Sequence, residues 1–216
     1  YIFSNMILYK ISKVIQQTPK VRLLQLNHFK GCMIKFLPGQ YIDINFANEK
    51  AENNNSNYMS FSVSSPPQKN DSIEIVVIDF GTFRHRLYNT EIGTYLEIKG
   101  PFGKFIYNDN TKAPPVFIAG GTGIAPIMSM IQYIAHGKAL IDEEITLIYS
   151  CKTEKDVIFL KELTELSKNI DKFNCIFTIT STSTNLPTSC KIVRSPQEKM
   201  PVWQTGHVDE IFISEH

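Results

Sequence analysis

An antiparallel β barrel followed by a parallel-sheet α/β domain is the fold this sequence predicts, and three observations carry the prediction. Residues 1–112 hold short segments rich in β-branched and aromatic residues, several of them alternating apolar with polar. After Pro114-Pro115 the rhythm changes to strand-like runs separated by helical ones, the pattern of βαβ units. The 216 residues also suffice for two compact domains of roughly 100 residues each. The boundary is set at 1–112 and 113–216.

In the first half the expected strands are Tyr9 to Ile15, Val21 to Leu26, Gln40 to Phe46, Phe61 to Ser64, Ile73 to Phe80 and Tyr95 to Lys99. Clusters of Gly, Pro and Asn separate them, and this number of strands suits a small barrel. Residues 49–57 are polar and Asn-rich, and read as an exposed loop insertion. Phe29, Phe36 and Tyr41 are assigned to the barrel core.

In the second half Val116 to Ala119 is continuously apolar, as expected of a parallel strand buried on both faces. A helix is expected from Pro126 to His136, with Ile127, Met128, Ile131, Ile134 and Ala135 on one face and Gly137 as its stop. Ile145 to Tyr149 and Cys175 to Thr180 are further strands, and Val157 to Leu166 a second amphipathic helix capped by Asp156. No internal repeat is evident.

Composition narrows the function classes. Lys plus Arg number 22 against 21 Asp plus Glu, so the net charge of +1 gives no electrostatic reason to propose nucleic acid or an anionic membrane as partner. No run of about 18 apolar residues suits a bilayer-spanning helix. The four cysteines (Cys32, Cys151, Cys175, Cys190) lie far apart, without metal-ligand, iron–sulfur or disulfide-framework spacing, and fit an intracellular, reducing compartment. His28, His85, His136 and His207 show no spacing suggestive of a metal site or a triad.

The segment from Phe117 to Pro126 carries the most chemistry. A strand runs into Gly120-Gly121-Thr122-Gly123 and then into a helix with Pro126 near its start. Glycines leave no side chain between backbone and ligand, and a helix start offers unpaired N–H groups at the positive end of its dipole. Such a turn is a seat for a pyrophosphate. The plainer alternative is a tight strand–helix turn that binds nothing.

Six segments in series resemble the ferredoxin–NADP⁺ reductase superfamily. Leu37-Pro38-Gly39-Gln40-Tyr41-Ile42 resembles its early barrel motif, Phe61-Ser62-Val63-Ser64-Ser65-Pro66-Pro67 its flavin-binding strand, and Gly100-Pro101-Phe102-Gly103-Lys104-Phe105 the turn that closes its barrel. Gly120 to Pro126 resembles its nicotinamide-nucleotide loop. Leu147-Ile148-Tyr149-Ser150-Cys151-Lys152 with Asp156 resembles the second nucleotide-domain strand and its loop, and Trp203 through Gly206-His207-Val208 a later signature. Within the superfamily the chain is most similar to the OXNAD-type subgroup, the oxidoreductase NAD-binding domain-containing proteins, and that resemblance allows a mitochondrial location.

The resemblance implies FAD on the barrel, NAD(P)H on the second domain and a protein electron acceptor. It places Phe61, Ser62, Val63 and Ser65 at the flavin, with Ser62 orienting the reactive ring nitrogen as the catalytic residue. It places Gly120, Gly121, Thr122 and Gly123 at the dinucleotide pyrophosphate, and Lys152 where NADP-specific members carry a cation. Where most members have Arg-x-Tyr-Ser, this chain has Met59, Phe61 and Ser62. Loss of that Arg removes a charge-assisted phosphate contact of about 1.5–3 kcal/mol. Arg84 occupies the position of the usual Ser in the second phosphate segment, Gly81 to Leu87, and is the replacement cation, with Arg86 as second choice. The alternative for both is a solvated surface arginine.

Three functional readings stand at this stage: a flavin-dependent NAD(P)H oxidoreductase, a non-catalytic nucleotide-binding or interaction protein that has lost flavin, and an electron-transfer subunit of a larger complex. The resemblance further implies a helix, a strand with a Cys-Gly-Pro turn and a last strand beyond position 208, whereas the chain ends at His216. A truncated second domain follows, either a fragment of a longer product or a natural truncation completed by a partner chain. The strand from Val116 to Ala119 would lose a neighbour, expose an apolar edge and leave nucleotide binding weak.

Overall fold

Two long strands, β1 (Ile7–Thr18) and β2 (Val21–Lys30), form where period-two patterning is strongest, and the tight turn at Pro19-Lys20 joins them in antiparallel register. The computed structural model describes residues 7–47, 58–69, 71–108, 113–137, 144–181 and the backbone of 202–205. Residues 49–57, read above as a loop insertion, lie outside these.

With β3 (Tyr41–Phe46), β4 (Met59–Ser62), β5 (Ser72–Ile78) and β6 (Tyr95–Phe102), the sheet order is β4-β3-β6-β1-β2-β5. Just past β4, an antiparallel bridge between Val63 and Ile75 brings the two ends of this order together. Ser64 N–H donates to Glu74 O at 2.8 Å, and Glu74 N–H donates to Ser65 Oγ at 3.0 Å. The antiparallel barrel expected from the sequence is therefore present.

Its interior is filled by alternate residues of each strand, among them Tyr9, Ile11, Leu24, Leu26, Ile42, Ile44, Ile75 and Leu96, all fully buried. Each aliphatic among them stabilises the fold by about 1.5–3 kcal/mol relative to exposure. Phe36 joins this core, as expected; Phe29 and the half-buried Tyr41 do not. Phe29 is 56% exposed and packs edge-on against Tyr95 at 4.7 Å. It sits one residue from the end of β2, where the strand's last two residues are exposed.

A short helix, α1 (Gly81–Tyr88), follows β5 and closes one end of the barrel with buried Leu87 and Tyr88. The segment Gly100 to Phe105 continues β6 through Phe102, and Phe102 lies opposite Tyr41. Gln40 Nε2 donates to Gly103 O at 3.2 Å, tying two of the six motifs together. At Gly39 (φ +103) an added Cβ would lie 2.2 Å from Phe105 O, so only glycine fits.

The remaining elements are β7 (Val116–Gly120), a 3₁₀ turn (Gly121–Gly123), α2 (Ile124–His136), β8 (Ile145–Cys151), α3 (Leu160–Asn169), β9 (Phe173–Ile179) and β10 (Val202–Thr205). The sheet is parallel, in the order β10-β9-β8-β7. By contacts the chain forms two units, Tyr1–Asp109 with Ala125–Gly137, and Asn110–Ile124 with Lys138–His216. Helix α2 thus packs in the barrel's unit, where Ser129 Oγ donates to Ser65 O at 2.7 Å and Gln68 Nε2 to Tyr133 O at 3.1 Å.

Two sequence expectations need correction here. Val116 to Ala119 is not buried on both faces: Val116 is 59% and Ile118 49% exposed, while Phe117 and Ala119 are buried. Among the described residues β7 pairs with β8 alone, and the doubly buried strand is β8, whose first five residues are all buried. The second helix begins at Leu160 rather than Val157. Val157, Ile158 and Phe159 are buried in succession, which one face of a helix cannot achieve, so they run as a non-helical connector. Asp156 accordingly caps the 3₁₀ turn before α3: its Oδ2 accepts from Thr153 N–H (3.1 Å) and Thr153 Oγ1 (2.7 Å).

Candidate cofactor sites

On the barrel, β4 presents the flavin-strand residues. Register pairs Met59 with Ile44, Phe61 with Ile42 and Ser62 with Tyr41, so Met59 and Phe61 share one face and Ser62 points to the other. Phe61 is 6% exposed and belongs to the core. Phe83 of α1 packs between Phe46 (5.5 Å) and Phe61 (6.4 Å), and this seats the helix beside β4.

That seating brings Arg84 to Phe61, its guanidinium carbon 6.0 Å from the ring centroid. Arg84 is half-buried, and among the described residues it makes no hydrogen bond or ion pair. Arg86 instead lies 3.8 Å from the Phe46 ring centroid and lines a shallow depression with His85, Asn89 and Thr94. Arg84 thus stands beside β4 without a carboxylate partner among the described residues, whereas the guanidinium of Arg86 lies on Phe46.

Ser62 is half-buried, and its hydroxyl has no partner among the described residues. Val63 and Ser65 are different. Val63 is fully buried, with its N–H donated to Gln40 O. Ser65 is fully buried, its hydroxyl accepts from Glu74 N–H and its carbonyl accepts from Ser129. Both residues close the barrel, and neither side chain has an exposed atom to offer a ligand.

In the second unit Gly120, Gly121, Thr122 and Gly123 are all exposed. Gly121 has φ +50, a conformation that favours glycine. Gly120 sits at φ −135 and ψ 129, ordinary extended backbone, and Gly123 has no positive φ either. An added Cβ at Gly120, Gly121 or Gly123 would meet nothing within 4 Å. Neither folding strain nor crowding therefore explains Gly120 and Gly123.

Lys152 is exposed, directly after β8. The structure leaves it a solvated lysine on the loop that follows the central strand. Trp203 lies in β10, and Gly206 to Val208 lie outside the described residues. Among the described residues there is no cluster of His, Cys, Asp or Glu able to hold a metal ion. No helix of the described residues is long and apolar enough to cross a membrane.

Two family matches follow the two halves of this geometry: an oxidoreductase FAD-binding domain over residues 6–107 and an oxidoreductase NAD-binding domain over residues 117–216. The chain belongs to the ferredoxin–NADP⁺ reductase superfamily. Among curated relatives of this superfamily it is 24% identical over 187 residues to the propane 2-monooxygenase reductase component of Gordonia sp. (strain TY-5), covering 85% of the chain and 52% of the relative. It is 30% identical over 164 residues to the terephthalate 1,2-dioxygenase reductase component 1 of Comamonas sp, covering 75% of the chain and 46% of the relative. The chain thus spans about half the length of the curated relatives it matches.

Solved superfamily structures share the fold. The FAD/NAD-binding domain of a Vibrio cholerae nitric oxide dioxygenase superposes with TM-score 0.74 at 18% identity, over 95% of this chain and 81% of that one. The ferredoxin-NADP+ reductase of Plasmodium falciparum does so with TM-score 0.70 at 21% identity, over 83% and 76%.

Two features of the site escaped the sequence reading. Helix α1 was not foreseen, because Gly81 to Leu87 carries no acidic first turn and Phe80 offers no side-chain cap. Thr153-x-x-Asp156 was legible as a capping box, since a Thr followed three residues later by an acid is its signature.

Proposed function

We propose that this chain is the flavin- and nicotinamide-binding part of a reductase that takes electrons from NAD(P)H through FAD to a protein acceptor. The observation that carries the reading is the glycine loop after β7, where Gly120 and Gly123 leave open backbone with no packing reason to do so. The names of the relatives, reductase components of oxygenases, support a protein acceptor. The reading keeps the domain division at 1–112 and 113–216 and the closer kinship with the OXNAD-type subgroup. The free thiols of Cys32, Cys151 and Cys175 suit a reducing compartment, and the subgroup kinship allows a mitochondrial one.

Bound FAD would supply the redox chemistry, taking two electrons together and releasing them singly. Arg84 neutralises its phosphate in place of the charge that Met59 lacks. Ser62 offers a hydroxyl without a partner among the described residues to the ring edge, while Phe61, on the other face of β4 and buried in the core, seats Phe83 and with it the helix that carries Arg84. Val63 and Ser65 contribute by fixing the strand end, through the barrel-closing bonds. The backbone of Gly120 to Gly123 receives the dinucleotide pyrophosphate, and the exposed hydroxyl of Thr122, without a partner among the described residues, adds a donor. Where the nucleotide carries a 2′-phosphate, the exposed Lys152 is the cation placed for it. Hydride transfer requires no side-chain acid or base, so these residues act by holding and orienting.

The buried Phe61 ring and the uncharged Met59 favour one second reading, a protein that has kept the barrel and lost flavin. Purified full-length protein separates the two. Visible flavin absorbance, retained or restored by added FAD and bleached by NADH or NADPH, is the expected result. Absence of flavin uptake at saturating FAD leaves the non-catalytic reading standing.

A further inference from the structure

We infer that Tyr149 is a positioning residue for the nucleotide loop, a strut that ties the turn after β7 to the turn after β8 and presets the phosphate-facing amides. The inference rests on the proposed nucleotide site and names what holds it in shape.

Tyr149 is fully buried in β8, with its ring 6.1 Å from that of Phe177. Its hydroxyl donates to Gly121 O at 2.9 Å and accepts from Ile158 N–H at 3.3 Å. Both partners adjoin left-handed backbone: Gly121 itself has φ +50, and Phe159, next to Ile158, has φ +62. A non-glycine residue in that conformation is strained and persists only where its surroundings hold it. Phe159 is held by its buried ring and, through Ile158, by the phenol.

Cys151, two residues on and on the same face of β8, places its thiol against the N–H of Gly121. Tyr149 and Cys151 thus both reach Gly121, and open space lies where side chains would stand at Gly120, Gly121 and Gly123. Burial pushes the Tyr149 hydroxyl far above the usual phenol range, so the phenol stays protonated and keeps its proton for Gly121. Burial likewise pushes the Cys151 thiol up to about 11, so it stays a neutral partner. A loop preset in this way pays little ordering entropy when the ligand arrives.

The test uses full-length protein and ADP-ribose, which carries the pyrophosphate without redox chemistry. Tyr149→Phe keeps the ring and removes only the bridging oxygen. The expected result is an ADP-ribose dissociation constant raised about three- to tenfold, with FAD content unchanged. A purely structural phenol would lower the unfolding midpoint and leave that constant where it was; this outcome overturns the inference and spares the nucleotide site. Failure of the wild type to bind ADP-ribose removes the site and the inference together. Should Tyr149→Phe not fold, Cys151→Ala is the second variant: a smaller rise in the same constant supports the strut, and no rise overturns it.

Discussion

The two cofactor seats of this chain are built in opposite ways. The glycine loop offers backbone and almost nothing else: four exposed residues, three without a side chain, in front of open space. The flavin strand offers side chains, most of them already committed to the barrel. Phe61 and Val63 fill the core, Ser65 is bonded on two sides, and only Ser62 and Arg84 have polar atoms without partners among the described residues. A backbone seat is spoiled by adding atoms. A side-chain seat is spoiled by removing charge. The first tolerates drift in its surroundings, while the second can be rebuilt from a new position, as we propose for Arg84 on α1 in place of a cation absent at Met59.

The largest effect expected from this contrast comes from adding atoms to the loop. Gly120→Val places a β-branched residue on extended backbone with no neighbour within 4 Å, so folding stability should move by less than about 0.5 kcal/mol. ADP-ribose affinity should fall about a hundredfold, equivalent to about 2.7 kcal/mol. Calorimetric titration beside urea unfolding measures both. A stability loss well above 1 kcal/mol would show that Gly120 serves packing, and unchanged affinity would remove the loop from the site.

Removing charge from the barrel comes next. Arg84→Ala should raise the FAD dissociation constant about tenfold to a hundredfold, the worth of one charge-assisted phosphate contact. Arg86→Ala, whose guanidinium already lies on Phe46, should change it less than about threefold. Equal effects from the two, or none from Arg84, would return both to the class of ordinary surface arginines.

The contrast also explains what the sequence could show. Barrel strands were legible because period two survives wherever one face is buried, as in β2, where buried Leu24 and Leu26 alternate with half-buried Gln25 and Asn27. The glycine loop was legible because glycines between an apolar strand and a helix have few other uses. The path through Val157, Ile158 and Phe159 was not. Nothing local marks a phenylalanine for positive φ, which here depends on a buried ring and on a bond to Tyr149 from a strand nine residues upstream of Ile158. Nor do motifs reveal that Ser65 is spent on Glu74 and Ser129, since both partners come from distant segments.

The smallest predicted effect concerns β7, where the sequence pattern misled. Four apolar residues in a row read alike whether a strand is covered on one face or on two, because the covering comes from elements elsewhere in the chain. In this chain Ile118 is 49% exposed, while Ile148, its partner across β7 and β8, is 1% exposed. Ile118→Thr should cost less than about 0.5 kcal/mol in urea unfolding, because threonine keeps the β-branched shape and its hydroxyl stays in water. The same change at Ile148 buries an unpaired hydroxyl and loses a packed methyl group, and should cost several times more. Equal costs at the two positions would mean that the outer face of β7 is covered in solution, and would restore the two-sided burial first read from Val116 to Ala119.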